Sequence, residues 1–443
     1  MSVLSRVKPI FKGRVPGQLV IQFANHCNAA CPQCGMNKHN RIPRHRLAGD
    51  EIRRILDAAA EKGVKVVSFT GGEPLLFLDD LVDYIQYAGQ AGLEFIRTGT
   101  NGFLFANPEQ PGFEDRVKET ADKLAAGPLR NFWISIDSAV PEAHEKMRGL
   151  PGVIKGVGKA LPIFHERGLF PSANLGLNRN LDGPDNDVLW GRAENDPGER
   201  LEGFRREFRS ALRKFYRLVI DLGFTMVNTC YPMSLDDDDK SPGGLQAVYA
   251  AAAADRVVRF DPGEKVMLFQ ALLETIPEFR PRVRVFSPRS NLGALIRQYK
   301  NDPELSYPCR GGVDFFYIDS RDGNTYPCGY RGRENLGKFP DLDLSKISRS
   351  TGCRECDWEC FRDPSELFGP LVQLFDRPGE LIKKVIRDRE YFRLWLEDIR
   401  YYRAAGFFDG RRPPDYRKLE KFSSAGVAAD ETPPGSAPEH RKG

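Results

Sequence analysis

From residue 18 to residue 286, short β-branched runs alternate with amphipathic stretches, and this alternation restricts the fold more than any other feature of the chain. The runs are QLVIQFA (18–24), VKVVSF (64–69), LEFIRT (93–98), NFWISID (131–137), FPSANLGLN (170–178) and FTMVNTC (224–230), with a short RVRVF at 282–286. Between them, 51–63 reads as a helix with Asp50 as N-cap and Gly63 as stop. Stretches 78–92, 114–126, 153–168 (with Pro162 inside) and about 200–222 carry apolar residues three and four apart. Six strand-to-helix repeats predict an α/β fold of parallel βα units, whose short hydrophobic strands lie in a sheet covered on one or both faces. After Pro308 the pattern changes: 314–329 reads as a β-hairpin turning at Asp322-Gly323, and 361–420 as helical and rich in Arg and aromatics.

The nine cysteines are placed unevenly. Cys27, Cys31 and Cys34 fall within one loop after the first strand, Cys309, Cys328, Cys353, Cys356 and Cys360 lie late, and Cys230 stands alone. No apolar signal core occupies 1–17, so a disulfide framework explains them poorly, and clustering at ligand spacing favours metal. Cys27-x3-Cys31-x2-Cys34 can converge on one face of a four-iron cluster and leave it one ligand short. Zinc is the competing occupant, with His26 or His39 as the fourth ligand.

Thr70-Gly71-Gly72-Glu73-Pro74 ends the second strand, at the carboxyl end where barrel active sites are built. Two glycines let the backbone approach a ligand closely, and Glu73 can accept a hydrogen bond from an ammonium. The same tetrapeptide alone would read as a turn with a solvent-facing Glu. One strand downstream of the three-cysteine loop, it makes a specific pair.

With these residues the chain resembles the radical S-adenosylmethionine enzymes: Cys27/Cys31/Cys34, Gly71-Gly72-Glu73-Pro74, Thr100-Asn101-Gly102 after the third strand and Ser135-Ile136-Asp137 ending the fourth. The resemblance spans roughly 17 to 300 and implies a partial (β/α)6 TIM-like barrel. It implies that an open iron of a 4Fe-4S cluster binds the amino and carboxylate groups of S-adenosylmethionine. Reductive cleavage then gives methionine and a 5′-deoxyadenosyl radical that abstracts a substrate hydrogen. By the same resemblance Gly71, Gly72, Glu73 and Pro74 hold the methionyl ammonium, and Ser135 and Asn174 contact the cofactor. The chain departs from the family at Gln33, where an aromatic residue is common, which leaves the adenine-stacking role unassigned. Asp137 reads either as support for the site, as a substrate contact or as a strand-end turn residue.

Late in the chain, Cys309-x13-Gly323-x4-Cys328 spans the hairpin and Cys353-x2-Cys356-x3-Cys360 follows. By spacing alone a four-thiolate zinc site is a strong competitor. Attached to such a barrel, the group resembles the auxiliary-cluster extension called SPASM, or its shorter form, Twitch. The resemblance implies one auxiliary 4Fe-4S cluster, with room for a second. Four of the five cysteines suffice: Cys309, Cys328, Cys353 and Cys356 are the expected ligands, with Cys360 beside the cluster or replacing one of them. The expected organisation is a barrel (17–303), a Cys-rich β-hairpin auxiliary domain (304–362), a helical segment (363–422) and a disordered tail (423–443).

Lys plus Arg number 65 against 61 Asp plus Glu, which is too balanced for a nucleic-acid binder, and no nucleic-acid partner is expected. The longest apolar stretch, near 247–258, is broken by Asp255 and Arg256, so no transmembrane segment is expected. Asp236 to Asp239 read as a solvated loop, Cys230 as a buried inert thiol, and the Arg-rich 387–412 as a packing helix. The insertions 178–199 and 231–262 follow strands five and six and are expected to face substrate. The expected protein is a cytoplasmic, oxygen-sensitive oxidoreductase or maturase, served by a flavodoxin or ferredoxin and acting on a peptide or small molecule. The alternatives are a non-catalytic iron–sulfur electron carrier and a zinc-binding interaction protein.

Overall fold

The computed structural model describes residues 10, 13–38, 43–192, 196–233, 244–249, 255–302, 306–350 and 352–423. His39, the run Asp236 to Asp239 and the expected tail beyond residue 423 lie outside the described residues. Seven parallel strands follow the order of the chain: β1 (Gly17–Ala24), β2 (Val64–Gly71), β3 (Phe95–Thr100), β4 (Leu129–Ser135), β5 (Ser172–Gly176), β6 (Met226–Cys230) and β7 (Arg284–Val285). Each lies beside its predecessor, and β1 and β7 do not pair, so the barrel is open. This is the partial α/β barrel expected from the strand and helix alternation.

The helices between strands cover one face of the sheet. They are α1 (Gly49–Glu61), α2 (Leu78–Gln90), α3 (Phe113–Ala126), α4 (Pro141–Arg148), α5 (Val153–Glu166), α6 (Pro197–Leu222), α7 (Pro262–Phe279) and α8 (Arg289–Tyr299). Gly63 and Gly223 stop α1 and α6 at positive φ, where a side chain would be strained. Asp261 and Glu264 close a reciprocal capping box at the start of α7. α5 runs through Pro162.

Strand alternation separates two faces. Leu19, Ile21, Phe23, Val67, Phe69, Ile96, Phe132, Ile134, Ala173 and Val227 point to the helices and are fully buried there. The other face carries Ser68, Thr70, Arg97, Gly99, Trp133, Ser135, Asn174 and Asn228, and lines a central cavity. The strands are therefore hydrophobic on one side only. Apart from Trp133 the inward set is small or polar, which leaves space inside the barrel where large aliphatic residues would have filled it.

The late hairpin consists of β8 (Phe315–Ile318) and β9 (Thr325–Tyr326), antiparallel to each other, with Gly323 at φ +67 in the turn. Its first strand also pairs in parallel with β1, Gln18 opposite Phe315 through Ile21 opposite Ile318. The sheet thus has nine strands, and the hairpin extends it on the β1 side. A second apolar cluster ties Val15 and Val20 to Cys309, Phe315, Tyr317, Cys328, Trp358 and Phe361. Three longer helices follow: α9 (Glu359–Asp376), α10 (Pro378–Arg387) and α11 (Arg389–Ala404). α11 packs on the barrel, where Asp398 accepts from the buried Arg280 at 2.6 Å and Tyr401 donates to the Val283 carbonyl. No helix among the described residues is long and apolar enough to cross a membrane.

Candidate active site

The cavity occupies about 310 Å3 inside the barrel, at the carboxyl ends of the strands. Cys27, Cys31 and Cys34 line it from the loop after β1, and a helical turn over Gly35–Lys38 follows them. Burial pushes the Cys31 thiol up to about 11 and the Cys34 thiol up to about 12. Each neighbouring thiol adds to the rise, and the Arg148 charge opposes it. Cys27 is raised as well, chiefly by burial, while Asn101 Nδ2 approaches its Sγ at 3.8 Å. Three thiols on one cavity wall, all disfavoured from ionising chiefly by burial, are a donor set whose ionised form a cationic centre beside them would favour. As a donor set they suit a four-iron cluster, which they would leave one protein ligand short. Among the described residues no three His, Cys, Asp or Glu side chains converge on one point closely enough to hold a single metal ion.

The Gly71–Pro74 segment is laced to that loop. A Cβ on Gly71 would stand 2.1 Å from the Ala24 carbonyl oxygen, and one on Gly72 would stand 1.9 Å from that of His26. Both glycines are needed for this approach. The Gly72 N–H donates to Ala24 at 3.1 Å and the Glu73 N–H to His26 at 2.7 Å. Glu73 is buried, and its carboxylate accepts from the backbone N–H of Leu75 (2.9 Å) and of Asn101 (2.5 Å). Burial nevertheless pushes its carboxyl up to about 7, against those two hydrogen bonds. The side chain read from sequence as an ammonium acceptor thus also ties the end of β2 to the end of β3. Pro74 is buried at the start of the short turn that follows.

Ser135 and Asn174 are register partners on β4 and β5, and both line the cavity. Asn174 Oδ1 accepts from Asn228 Nδ2 at 2.7 Å and from the Cys230 thiol at 3.4 Å. Asp137 is buried and accepts at Oδ2 from Arg148 Nη2 (2.6 Å) and from Gln33 Nε2 (2.7 Å). Gln33, the residue that departs from the family pattern, therefore fastens the cysteine loop to the end of the fourth strand. Arg148 is itself buried and balances the three thiols electrostatically. Sequence reading missed it, although it sits one residue before the glycine that ends α4.

The late cysteines divide. Cys309, Cys328, Cys353 and Cys356 line one small cavity with Leu245, Trp358 and Phe361, and the Cys309 N–H donates to the Cys353 carbonyl at 2.8 Å. Burial raises Cys309, Cys328 and Cys356. Cys360, at the start of α9, faces the barrel cavity instead, with Glu359. Its thiol donates to Glu359 Oε1 at 3.4 Å. Cys230, read from sequence as an inert core thiol, lines this same cavity. It is half-buried rather than buried, and its setting at the end of β6 is the cavity wall. Trp358 lines both cavities.

A family profile described as the Radical SAM superfamily matches residues 21–178, which hold the three-cysteine loop, Gly71–Pro74 and β1 to β5. Residues 21–178 form a radical SAM domain. Among curated relatives it is 22% identical to an AdoMet-dependent heme synthase of Methanosarcina barkeri, over 71% of this chain and 77% of that one. To the AdoMet-dependent heme synthase of Oleidesulfovibrio alaskensis it is 26% identical, over 79% and 77%. A probable GTP 3′,8-cyclase of Thermococcus kodakarensis matches at 27% over 38% of this chain and half of its own. Among solved structures, Streptococcus suis SuiB bound to S-adenosylmethionine aligns with a TM-score of 0.47 at 16% identity, over 77% of this chain and 68% of that one.

Proposed function

We propose that this radical SAM enzyme generates a 5′-deoxyadenosyl radical at the Cys27/Cys31/Cys34 end of the barrel cavity and uses it to take a hydrogen atom from a small-molecule substrate. The observation that carries this reading is the one cavity shared by the three thiols, the Gly71–Pro74 segment, Ser135 and Asn174. A four-iron cluster held by Cys27, Cys31 and Cys34 supplies, when bound, the one-electron reduction that splits S-adenosylmethionine.

The rest of the work falls to the chain's own groups. The close approach of Gly71 and Gly72 to the Ala24 and His26 carbonyls fixes the loop against β2. Glu73 holds the ends of β2 and β3 at a set distance through its two backbone donors. Asp137 holds Gln33 and Arg148, so the cation stands next to the thiols whose ionised form it favours. Trp358, Glu359 and Cys360 close the cavity from the C-terminal side, which limits water around a reactive radical.

Cys309, Cys328, Cys353 and Cys356 are the ligands we assign to one auxiliary 4Fe-4S cluster, supported by their shared small cavity. Cys360 is left out of that set. The barrel is assigned to 17–303, the auxiliary region to 304–362 and the helical segment to 363–422. Curated relatives are named for haem synthesis and GTP cyclisation, and a cavity of 310 Å3 is at the small end of ligand pockets. Both support a small molecule over a folded protein as substrate. No disulfide joins any of the nine cysteines, in keeping with a reducing, cytoplasmic setting and a flavodoxin or ferredoxin as electron donor.

The test is anaerobic reconstitution, iron and sulfide counting, and assay of 5′-deoxyadenosine with a chemical reductant. Formation of 5′-deoxyadenosine that is lost in Cys31→Ala is expected. Bound iron without 5′-deoxyadenosine would identify an electron carrier, and zinc without sulfide an interaction module.

A further inference from the structure

Five charged side chains line the barrel cavity: Glu73, Arg97, Asp137, Arg148 and Glu359. Four are occupied. Glu73 accepts from two backbone N–H groups, Asp137 and Arg148 pair with each other, and Glu359 accepts from the Tyr231 N–H and the Cys360 thiol. Arg97, on β3, has no ion pair or hydrogen bond among the described residues, and its Nε is buried without an acceptor. Its guanidinium carbon stands 5.8 Å from the ring centroid of Trp133, and its charge lies near enough to the Cys360 thiol to favour that group's ionised form. That ring has its place because β3 carries glycine beside it, where a Cβ on Gly99 would come within 2.1 Å of the indole.

A second unpartnered atom lies next to it. Ser68 on β2 is the register partner of Arg97, lines the same cavity, and has a buried Oγ with no hydrogen-bond partner. Asn131, the partner of Arg97 on the other side, spends its amide on Ser172 and Met226. The Arg97 side chain is half-buried, but an Nε sealed from water without an acceptor is costly, and a buried hydroxyl without a partner adds to that cost. Two adjacent strands thus offer a planar fork of N–H donors and one O–H donor to the same point, with nothing on the protein to receive them. The chemistry that satisfies both is an oxyanion.

Position separates this point from the cofactor end. Arg97 precedes Asn101 by four residues, about 13 Å along a strand, and Asn101 is the residue beside Cys27. We propose that Arg97 and Ser68 form the substrate's anchoring site, taking a carboxylate or phosphate group deep in the barrel while the rest of the molecule reaches up toward the cysteine loop. The substrate is therefore an anion. This rests on the reading above of the cavity as the site of radical chemistry. Trp133 holds the guanidinium in place before the anion arrives.

The experiment uses the full chain, reconstituted anaerobically, and follows thermal unfolding and equilibrium binding with three probes at matched ionic strength: propionate, inorganic phosphate and neutral propionamide. The expected result is that one or both anions stabilise the wild-type protein and propionamide does not. Arg97→Gln should weaken the anion about tenfold or more, and Ser68→Ala should weaken it less. A response to propionate alone identifies a carboxylate substrate, and a response to phosphate alone a phosphorylated one. Without probe, Arg97→Gln should unfold at about the same temperature as the wild type, because the half-buried guanidinium has no ion pair or hydrogen bond to lose.

Three results would each overturn the proposal: equal effects of amide and anions on the wild type, an undiminished anion response in Arg97→Gln, or unfolding of that variant well below the wild type. Failure of the radical SAM reading shows separately, as absence of 5′-deoxyadenosine from the wild type while anion binding persists.

Discussion

Gly72→Ala is the sharpest test of how the cysteine loop is positioned. The added Cβ would lie 1.9 Å from the His26 carbonyl oxygen, and ordinary contact begins at 3.4 Å, so the two segments must part by about 1.5 Å. The obstacle is backbone, which cannot rotate away as a side chain would. Parting also stretches the Glu73 N–H bond to His26, now 2.7 Å. Overpacking costs about 1–3 kcal/mol and a lost backbone hydrogen bond about 1, so a destabilisation of about 2–4 kcal/mol is expected. Cys27 follows His26 directly, and a misplacement of this size in a catalytic constellation costs on the order of 100-fold in rate. Urea unfolding measures the first effect and anaerobic 5′-deoxyadenosine production the second. Gly293→Ala is the control: it sits in α8 with nothing within 4 Å of the new Cβ, and should be neutral or slightly stabilising. If Gly72→Ala keeps its rate within about threefold and its stability within about 0.5 kcal/mol, the loop is not held by this approach, and the account of the site fails.

Cys309→Ala should lower bound iron from about eight to about four per chain, whereas Cys360→Ala should leave it unchanged; equal losses would put Cys360 back among the ligands. Glu73 gives a pH signature in the cluster-free protein. Its carboxyl is raised from 4.5 to about 7, so the stability it contributes is full below about 4.5 and falls as pH climbs through 7. A rise of that size corresponds to about 3 kcal/mol, and Glu73→Gln should flatten the difference in urea midpoint between pH 5 and pH 8. Asp398→Ala leaves Arg280 buried at 0% exposure without its nearest anion and should cost about 3–5 kcal/mol, read by urea unfolding. A loss below 1 kcal/mol would mean that Glu397, 3.1 Å from Arg280, suffices alone.

Much of the barrel was legible because the strands are short, all but β5 carry β-branched residues, and neighbours in sequence are neighbours in the sheet. The cysteine loop and Gly71–Pro74 were legible because close backbone approach leaves a mark in residue type. The pairing of β8 with β1 was not, since it joins segments almost 300 residues apart and parallel pairing needs no turn between them. Arg97 and Trp133 stood in plain sight as inward residues of FIRTGT and LRNFWIS, but alternation had to be read as two faces before either pointed to a cavity. The three-residue spacing from Cys356 to Cys360 fits a ligand as well as a helix start. Only the placement of α9 turns Cys360 away from the other four toward Glu359 and the barrel.

Trp358 stands in the wall of both cavities, so the partition between the two cysteine groups is a single side chain thick there. If each side holds a cluster as assigned, the two cannot be charged independently. An electron stored on one side repels the next through a low-dielectric ring with little water to screen it. The two reductions would then be anticooperative, and a potentiometric titration would separate into two waves spaced by that repulsion. Widening the partition's polarity, as in Trp358→Gln, would draw the waves together. With both clusters in place, the ring would set how far the second reduction is pushed below the first.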